Sequence, residues 1–554
     1  MKSNNWLYCI LFVFLVVLCV ARMTLFHFGF FSFFDDAYFL LKAKEVGEGI
    51  ITGKSQWNFI AVKWFPYLDL YSMIQSRTAG YILTLAAVMN ATLACWIAFG
   101  KKEVLKYFAI CLLILLPTAG QMSYVTLQTF LLCSSLSAFI IYWKSGIKWL
   151  RYGMLMVSAF LAGLSLFVIL PGGLLLIACY VLLIPILNGQ EFGRSISELA
   201  AGFAGIVLAL AYMHFCICPL TKIVEAMRFT ASYFTKSGYD YDFMSMAVSV
   251  GLFIRDFLFV VVFYTGSYYL SRKLLFGRFS WIGGVLFIIL IGLYAYYQKK
   301  PAVSPAMIFS SLVLLPLLFE QEPELTNCFH LSKDSFIKFF LFCFPVIASF
   351  GTNTSLSGRI SCFIVAWAFL WFEQSTKTRW YVTLAAILVI LVPLTNKTFT
   401  QLHNRDDRFH FIKGNKSFAE ISLTEKQKDY YDRVYDLMAE YGFTQDSSVV
   451  FTAAFDYATV YAFDAKLSSN FHQVNNFLYW DASKMLRPDF IILCGWDEKV
   501  IGNKLKTVGW GWPEDFDAYD MGTPESIVLT SADIEQRTVY CRKDLREQKL
   551  CLQP

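Results

Sequence analysis

Long apolar runs, separated by short polar connections, fill the first 395 residues of the chain. Runs of about 16–25 apolar residues are long enough to cross the hydrocarbon core of a bilayer, which is roughly 30 Å thick. Thirteen such runs predict thirteen membrane-spanning helices, near residues 6–26, 79–99, 104–118, 126–143, 151–169, 171–187, 197–216, 246–270, 281–298, 302–319, 334–350, 359–373 and 380–395. At the PGG of residues 171–173, one long kinked helix is the alternative to two spans.

The pattern changes after residue 395. The stretch "SLTEKQKDYYDRVYDLMAEYGF" has helical periodicity, with Ser422 as a candidate cap. Short buried strands are predicted for "SSVVFTAAF", "PDFIILCGW", "ESIVLTS" and "RTVYCRK". The chain is therefore predicted to be a polytopic α-helical membrane protein with about thirteen transmembrane helices over 1–395, followed by an extracytoplasmic α/β domain over 396–554.

Composition and charge agree with a membrane protein. The chain is 57% hydrophobic and 16% charged, whereas a soluble domain is about a quarter charged. The net charge of +6 does not indicate nucleic-acid binding, because most lysines and arginines lie in the short connections. Their distribution places the N-terminus in the cytoplasm, and an odd number of spans then places the C-terminal domain outside. We interpret the location as a bacterial inner membrane, with the C-terminal domain in the periplasm.

Two long outward segments, 27–78 and 217–245, precede the C-terminal domain in this topology. The first contains Asp35 and Asp36, which follow a run of phenylalanines. The residues after them, including Tyr38, predict a short interfacial helix with Asp35 at its cap or in its first turn. Capping needs one aspartate only. A second carboxylate at a low-dielectric boundary adds repulsion and desolvation cost, and such costly groups usually mark a functional site.

Cationic residues on the same predicted side are candidates for binding an anion. Lys63 lies in the first external loop and Arg77 at the start of the second span. Both could pair with a phosphate; the alternatives are a solvated charge for Lys63 and an interfacial anchor for Arg77. Arg359 ends the polar connection "FGTNTSLSGR", which could hydrogen-bond a sugar or a phosphate or simply form a flexible turn.

An anchor helix, an external loop that opens with an acidic pair, and an arginine at the outer end of the second helix together resemble the GT-C superfamily of membrane glycosyltransferases. The resemblance is to the branch of the aminoarabinose lipid A transferases and protein O-mannosyltransferases. It extends through "DDAYFLLKAKEVGEG", "MSYVTLQTFLLCSSLSAFIIYW" and "AFLAGLSLFVILPGGLLLIACYVLL". It covers most of residues 1–200 in order and the remainder by architecture.

The resemblance implies transfer of a sugar from a polyprenyl-phosphate donor to an envelope lipid or glycan, with inversion. Asp35 would be the general base, and Asp36 would orient it, bind the acceptor or help to hold a divalent cation (Mg²⁺ or Mn²⁺); no cofactor is required by the pattern. Lys63 or Arg77 would stabilise the leaving phosphate. Gln128, Arg359 and Tyr38 complete the predicted substrate-binding set.

This sequence departs from the resemblance at several positions. Gln128 stands where many members of the family have an acidic residue, and 169–171 reads Ile-Leu-Pro where relatives often have a lysine. The His-Phe-Asp-Glu form of the mannosyltransferases is absent, which disfavours a protein acceptor. The main alternative function is a transporter or flippase of a lipid-linked glycan. It is disfavoured because the span interiors contain few ionisable residues; Arg255 and Asp256 are exceptions close enough to pair.

Overall fold

The computed structural model describes residues 13–14, 17, 20–21, 35–47, 56–100, 104–115, 120–189, 191–225, 228, 243–274, 280–297, 311–315, 318, 333–350, 359–374, 409–452, 457–468, 486–494, 505–522 and 536–552. Two short helices precede the bundle, α1 (Asp35–Gly47) and α2 (Gln56–Trp64). The helices that follow are α3 (Met73–Phe99), α4 (Val104–Leu115), α5 (Tyr124–Lys144), α6 (Lys148–Ser165), α7 (Leu170–Asn188), α8 (Phe192–Tyr212), α9 (Phe243–Tyr268), α10 (Ser280–Tyr297), α11 (Lys333–Ser349) and α12 (Val365–Gln374).

The helices α3 to α12 coincide with ten of the predicted spans. Five segments are long and apolar enough to cross a membrane, namely Met73–Phe99, Tyr124–Lys144, Leu170–Asn188, Phe192–Ile217 and Val250–Arg272. The break before the PGG is real, because α6 ends at Ser165 and α7 begins at Leu170. The predicted spans near 6–26 and 302–319 lie mostly, and 380–395 entirely, outside the described residues. The count of thirteen and the orientation therefore stay predictions.

Glycines allow the helices of the bundle to approach closely. A Cβ at Gly205 of α8 would lie 2.3 Å from the carbonyl oxygen of Met156 in α6. A Cβ at Gly163 of α6 would lie 2.8 Å from the Cβ of Ala209 in α8. Two glycines, one on each helix, thus let the backbones of α6 and α8 meet, as small residues commonly do between membrane helices.

A buried carboxylate joins four helices at the end of the bundle that the predicted topology places in the cytoplasm. The side chain of Glu198 in α8 is 1% exposed. It accepts hydrogen bonds from Tyr142 Oη (2.5 Å), Asn188 Nδ2 (2.6 Å), Arg151 Nη2 (2.9 Å) and Arg194 Nε (3.3 Å). The carboxylate is saturated with donors, which is the condition for a charge to remain buried.

The residues from 409 onward form a mixed α/β unit, here called the C-terminal unit. Its elements are α13 (Glu425–Glu440), β1 (Val449–Thr452), α14 (Tyr457–Phe463), β2 (Lys466–Leu467), β3 (Phe490–Cys494), β4 (Phe516–Gly522), β5 (Arg537–Arg542) and α15 (Lys543–Leu552). The sheet order is β2-β1-β3-β5-β4. β1 pairs in parallel with β2 and β3, whereas β5 is antiparallel to β3 and β4. Continuous apolar runs such as FIILC are typical of such central strands.

The predictions for this unit are correct for β1, β3 and β5, and they miss β2 and β4. The predicted strand "ESIVLTS" lies outside the described residues. The cap of α13 is Thr424 rather than Ser422, and it forms a capping box with Gln427. Cys541 is a free thiol buried in β5; burial, with the charge of Asp517 next, raises the pKa of this thiol.

The C-terminal unit does not stand apart from the first external loop. One hydrophobic core contains α1 and α2, the first turns of α3 and α5, and the apolar side of α13, α14, β1, β3 and β5. A second core lies within the bundle, around α4, α5, α7, α11 and α12. The helices α1 and α2 are therefore packed between the bundle and the C-terminal unit.

Candidate functional site

The acidic pair lies in the first turn of α1, which begins at Asp35. The positive end of the helix dipole favours carboxylates there. The side chains of Asp35, Asp36 and Tyr38 are outside the described residues, so the structure gives their place along the chain and not their contacts. Six described side chains of α1, on more than one side of the helix, are buried, which is more cover than an interfacial position requires: Ala37, Phe39, Leu40, Leu41, Lys42 and Ala43.

An aromatic cluster lies one helical turn beyond Asp35. The ring of Phe39 meets that of Trp57 in α2 edge to face, with centroids 5.7 Å apart. It meets the ring of Tyr124 in the same way at 5.6 Å. Tyr124 is the first residue of α5, a helix capped by Ser123, whose hydroxyl accepts from the backbone N–H of Thr126. The start of α1 is therefore near the start of a membrane helix.

Arg359 belongs to the same cluster. Its guanidinium carbon lies 4.9 Å from the centroid of the Tyr124 ring, and the residue is 5% exposed. Cations are attracted to the face of an aromatic ring, more strongly where water is excluded. Arg359 lies more than 300 residues after Asp35 in the chain. Folding brings its buried positive charge to the aromatic ring that packs on Phe39, one turn after Asp35.

Two buried amides in this region lack hydrogen-bond partners. Gln128 lies one turn after Tyr124 in α5, and Asn58 follows Trp57 in α2; each is 1% exposed. Within the described part of the chain, both polar atoms of each amide are without a partner. A buried polar group left unsatisfied costs about 1–3 kcal/mol. Such a cost is offset when a ligand or a water supplies the missing hydrogen bonds.

Arg77 is wholly buried in the second turn of α3. The start of α3 is held from both sides: the N–H of Met122 donates to the carbonyl of Ser76 (3.0 Å), and the N–H of Met73 donates to the hydroxyl of Tyr461 in α14 (3.3 Å). Burial raises the pKa of the Tyr461 hydroxyl, and the nearby positive charge of Arg77 offsets part of that rise. Arg77 is therefore buried where α3 meets the C-terminal unit, and the alternative of an anchor in the headgroups does not fit.

Lys63 is not brought into this cluster. It is exposed in the last turn of α2, about 9 Å along the helix from Trp57 at 1.5 Å per residue. Its neighbour Trp64 points inward, with its ring 6.0 Å from that of Phe130 and its Nε1 donating to Tyr212 Oη. The alternative of a solvated loop charge describes Lys63 better than a phosphate ligand.

Among the described residues no group of three or more His, Cys, Asp or Glu side chains could hold a metal ion. Since the carboxylates of Asp35 and Asp36 are outside that set, the divalent cation stays a prediction. Sequence reasoning missed Asn58, although an amide within the apolar stretch "QWNFIAVKW" is a signal that could have found it.

No protein-family model matches the chain, and no curated protein sequence matches it. Among solved structures, the chain is similar to ArnT from Cupriavidus metallidurans in the apo state, at 11% identity over 98% of this chain and 99% of that chain, with a TM-score of 0.49. It is similar to ArnT bound to undecaprenyl phosphate, at 12% identity over 97% and 98% of the two chains, with a TM-score of 0.47.

A third similar structure is the oligosaccharyltransferase of Archaeoglobus fulgidus in complex with zinc and sulfate, at 11% identity over 92% of this chain and 72% of that chain, with a TM-score of 0.48. ArnT and this oligosaccharyltransferase are GT-C enzymes, the superfamily that the sequence resembles. At TM-scores below 0.5 these likenesses carry no argument about chemistry, which has to come from the residues themselves.

Proposed function

We propose that this protein is a GT-C-type membrane glycosyltransferase that moves a sugar from a polyprenyl-phosphate donor to a lipid or glycan acceptor of the cell envelope, at the outer face of a bacterial inner membrane. The observation that carries the proposal is the buried Arg359–Tyr124 pair, which packs on Phe39, one helical turn after the acidic start of α1. This supports a site at the entrance of a membrane helix where a lipid-linked anion and its acceptor can meet.

The donor requires a cation in a dry site. A phosphate diester becomes a monoester dianion when the sugar leaves, and a fixed guanidinium stabilises the added charge most where water is excluded. Arg359 meets this requirement, being 5% exposed and held on Tyr124. Arg77 is the second buried guanidinium of this region. We assign the phosphate to Arg359 and Arg77, and no longer to Lys63.

The sugar requires groups that accept and donate hydrogen bonds without charge. Amide side chains do both, and the unpaired amides of Asn58 and Gln128 have all four polar atoms available. Sugar hydroxyls that bind there would remove the cost of the buried, unsatisfied amides. A substrate lacking those hydroxyls would leave the cost in place, so this arrangement favours a polyhydroxylated ligand.

The chemical step follows from these roles. Asp35 takes the proton of the acceptor hydroxyl as its oxygen attacks the anomeric carbon of the donor sugar. The new glycosidic C–O bond forms as the bond from the anomeric carbon to the phosphate oxygen breaks, and the configuration inverts. The polyprenyl phosphate leaves with the bonding electrons, and Arg359 stabilises it. Asp36 orients Asp35 or binds the acceptor, and a divalent cation held there would add a further positive charge for the phosphate.

Within the described part of the bundle, Arg255 and Asp256 give no support to the alternative of a transporter or flippase. Arg255 Nη2 lies 2.7 Å from Asp256 Oδ1, and Tyr294 donates to the same oxygen at 2.8 Å. These groups satisfy one another. Groups that conduct a substrate typically line a water-filled cavity or lie at interrupted helices instead.

The test is sugar transfer by the purified full-length protein in lipid nanodiscs, with a panel of polyprenyl-phosphate sugars and envelope acceptors. We expect the wild type to release polyprenyl phosphate in step with product, and Asp35→Asn to lower kcat by about 10²–10⁴-fold, the usual contribution of a general base. Asp429→Asn is the matched control, since Asp429 is an exposed carboxylate in the first half of α13. Full turnover by Asp35→Asn would refute the assignment of the base. Movement of intact donor across the bilayer without cleavage would favour the flippase.

A further inference from the structure

The C-terminal end of α1 is fastened to the C-terminal unit by a lysine. Lys44 Nζ lies 2.8 Å from Asp446 Oδ1 and 2.9 Å from Asp464 Oδ1. The ammonium group also lies 4.8 Å from the centroid of the Tyr71 ring. Asp446 follows α13 and Asp464 follows α14, so one side chain of the first external loop connects two loops of a unit that is 400 residues away in sequence.

Both aspartates have an unusual backbone conformation. φ is +57° at Asp446 and +54° at Asp464, and among the described residues they are the non-glycine positions with positive φ. The N–H of Asp446 donates to the carbonyl of Asp464 at 2.8 Å, which links the two loops. A left-handed conformation at a residue with a Cβ persists only where the surroundings enforce it, and such residues cluster at functional sites.

The same aspartate also holds the segment that leads into α3. Tyr71 donates to Asp464 Oδ1 at 2.5 Å, and Asn415 Nδ2 donates to Tyr71 Oη at 3.1 Å. The hydroxyl of Tyr461 donates to the carbonyl of Tyr71 at 2.9 Å. Asp464 thus accepts from α1 and from the segment just before α3, and these two helices carry the acidic pair and Arg77.

We propose that Lys44 and Asp464 are positioning residues, through which the C-terminal unit sets the place of the acidic start of α1 relative to the buried arginines. The proposal rests on the proposed function for its catalytic consequence. Asp446 has a smaller part, because its side chain is 67% exposed whereas that of Asp464 is 21% exposed. An exposed ion pair contributes little, and a partly buried one contributes more.

The physical reason is that α1 is short and continuous. Lys44 is nine positions after Asp35, about 13.5 Å or two and a half turns of helix. A displacement at one end of so short a helix moves the other end. A misplacement of about 1 Å at a reacting group can lower the rate as much as 10²-fold. Arg359 and Arg77, to which the donor phosphate is assigned, lie outside α1, so a shift of α1 alone leaves donor binding as before.

The experiment compares Lys44→Met, Lys44→Arg and Asp464→Asn in the full-length protein. Asparagine tolerates positive φ, so Asp464→Asn removes the charge and leaves the backbone of the loop unstrained. For Lys44→Met and Asp464→Asn we expect kcat to fall about tenfold with the donor KM within about twofold, and Lys44→Arg to restore most of the loss. The double variant Lys44→Met/Asp464→Asn should be no worse than the poorer single variant, because the amide of asparagine can still accept from Tyr71 and Asp464→Asn then removes only the ion pair that Lys44→Met already removes.

A second measurement does not depend on enzymatic activity. We expect hydrogen exchange of the α1 amides to be faster in Lys44→Met than in the wild type, with α5 unchanged. Lys413→Met is the control, since Lys413 pairs with the exposed Asp436 on the same unit. Unchanged exchange in α1, additive effects in the double variant, or exchange that rises equally in α5 would each overturn the positioning role. If the wild type transfers no sugar, the proposed function fails while α1 exchange still decides whether Lys44 holds the helix.

Discussion

Glu198→Gln should destabilise the helix bundle without changing any residue assigned to sugar transfer. The substitution keeps the shape of the side chain and removes the charge that faces Arg151 and Arg194. The Glu198 side chain is 1% exposed and that of Arg151 is 16% exposed, so water replaces little of what is lost. Removing one partner of a buried pair costs about 3–5 kcal/mol. Glutamine retains one acceptor, and we therefore expect a loss near 3 kcal/mol, at the lower end of that range.

The control for this prediction is Glu191→Gln. Glu191 also pairs with Arg194, at 3.0 Å, but its side chain is 63% exposed, and exposed pairs contribute about 0–1 kcal/mol. Thermal unfolding of both variants in detergent, followed by tryptophan fluorescence and gel filtration, measures the difference. A Glu198→Gln protein as stable as the control would refute the structural reasoning. If such a stable protein also lost sugar transfer, the Glu198 cluster would have a role in activity rather than in the stability of the bundle.

Three further predictions concern packing, binding and pH. Gly205→Ala should lower the unfolding midpoint, because the new Cβ meets a backbone carbonyl at 2.3 Å, whereas Gly202→Ala, with nothing within 4 Å, should leave it unchanged or raise it. Arg359→Lys keeps the charge but loses the guanidinium that lies over the Tyr124 ring, so we expect the donor KM to rise several-fold, measured beside Arg359→Met, which should be worse. For Lys44, burial lowers the pKa but Asp446 and Asp464 together outweigh it, and the pKa is raised above 10.5. The stabilising contribution of the Lys44 ion pairs is therefore complete below pH 10.5 and is lost as the pH rises past the raised pKa. We therefore expect the hydrogen-exchange protection factors of α1 to stay constant from pH 7 to about 9. A loss of protection within that range would contradict the prediction.

The apolar pattern predicted the bundle well where lipid or bundle interior surrounds a whole helix. It placed the second span at residue 79, but α3 begins at Met73. The missing turn contains Ser76 and Arg77, which are buried against protein rather than lipid. Hydropathy measures the preference for hydrocarbon and cannot recognise a polar turn that protein covers. The same reason explains why the apolar pattern did not predict α2. Its nine residues are too few to span a bilayer, and its buried face packs on α5.

In the C-terminal unit the success of the prediction depended on the position of each strand in the sheet. The central strands β1 and β3 are continuous apolar runs because both of their faces are covered. β4 is at the edge of the sheet, and in its sequence FDAYDMG the buried residues are Phe516 and Met521, whereas Asp517 and Asp520 are among the open positions. Charges on an edge strand protect it from pairing with another chain, and they also hide it from a search for apolar runs.

The amino-acid sequence was sufficient to predict the membrane character, the helical bundle and the presence of two carboxylates at the start of one short helix. Bilayer thickness and helix periodicity impose patterns on residues that are close together in the chain. The tertiary structure alone decided which charges are buried together. It placed Arg359 on Tyr124, left Lys63 in solvent, and joined Lys44 to Asp464 across 420 residues. The strength of a charge interaction depends on distance and burial in space, and separation along the chain specifies neither.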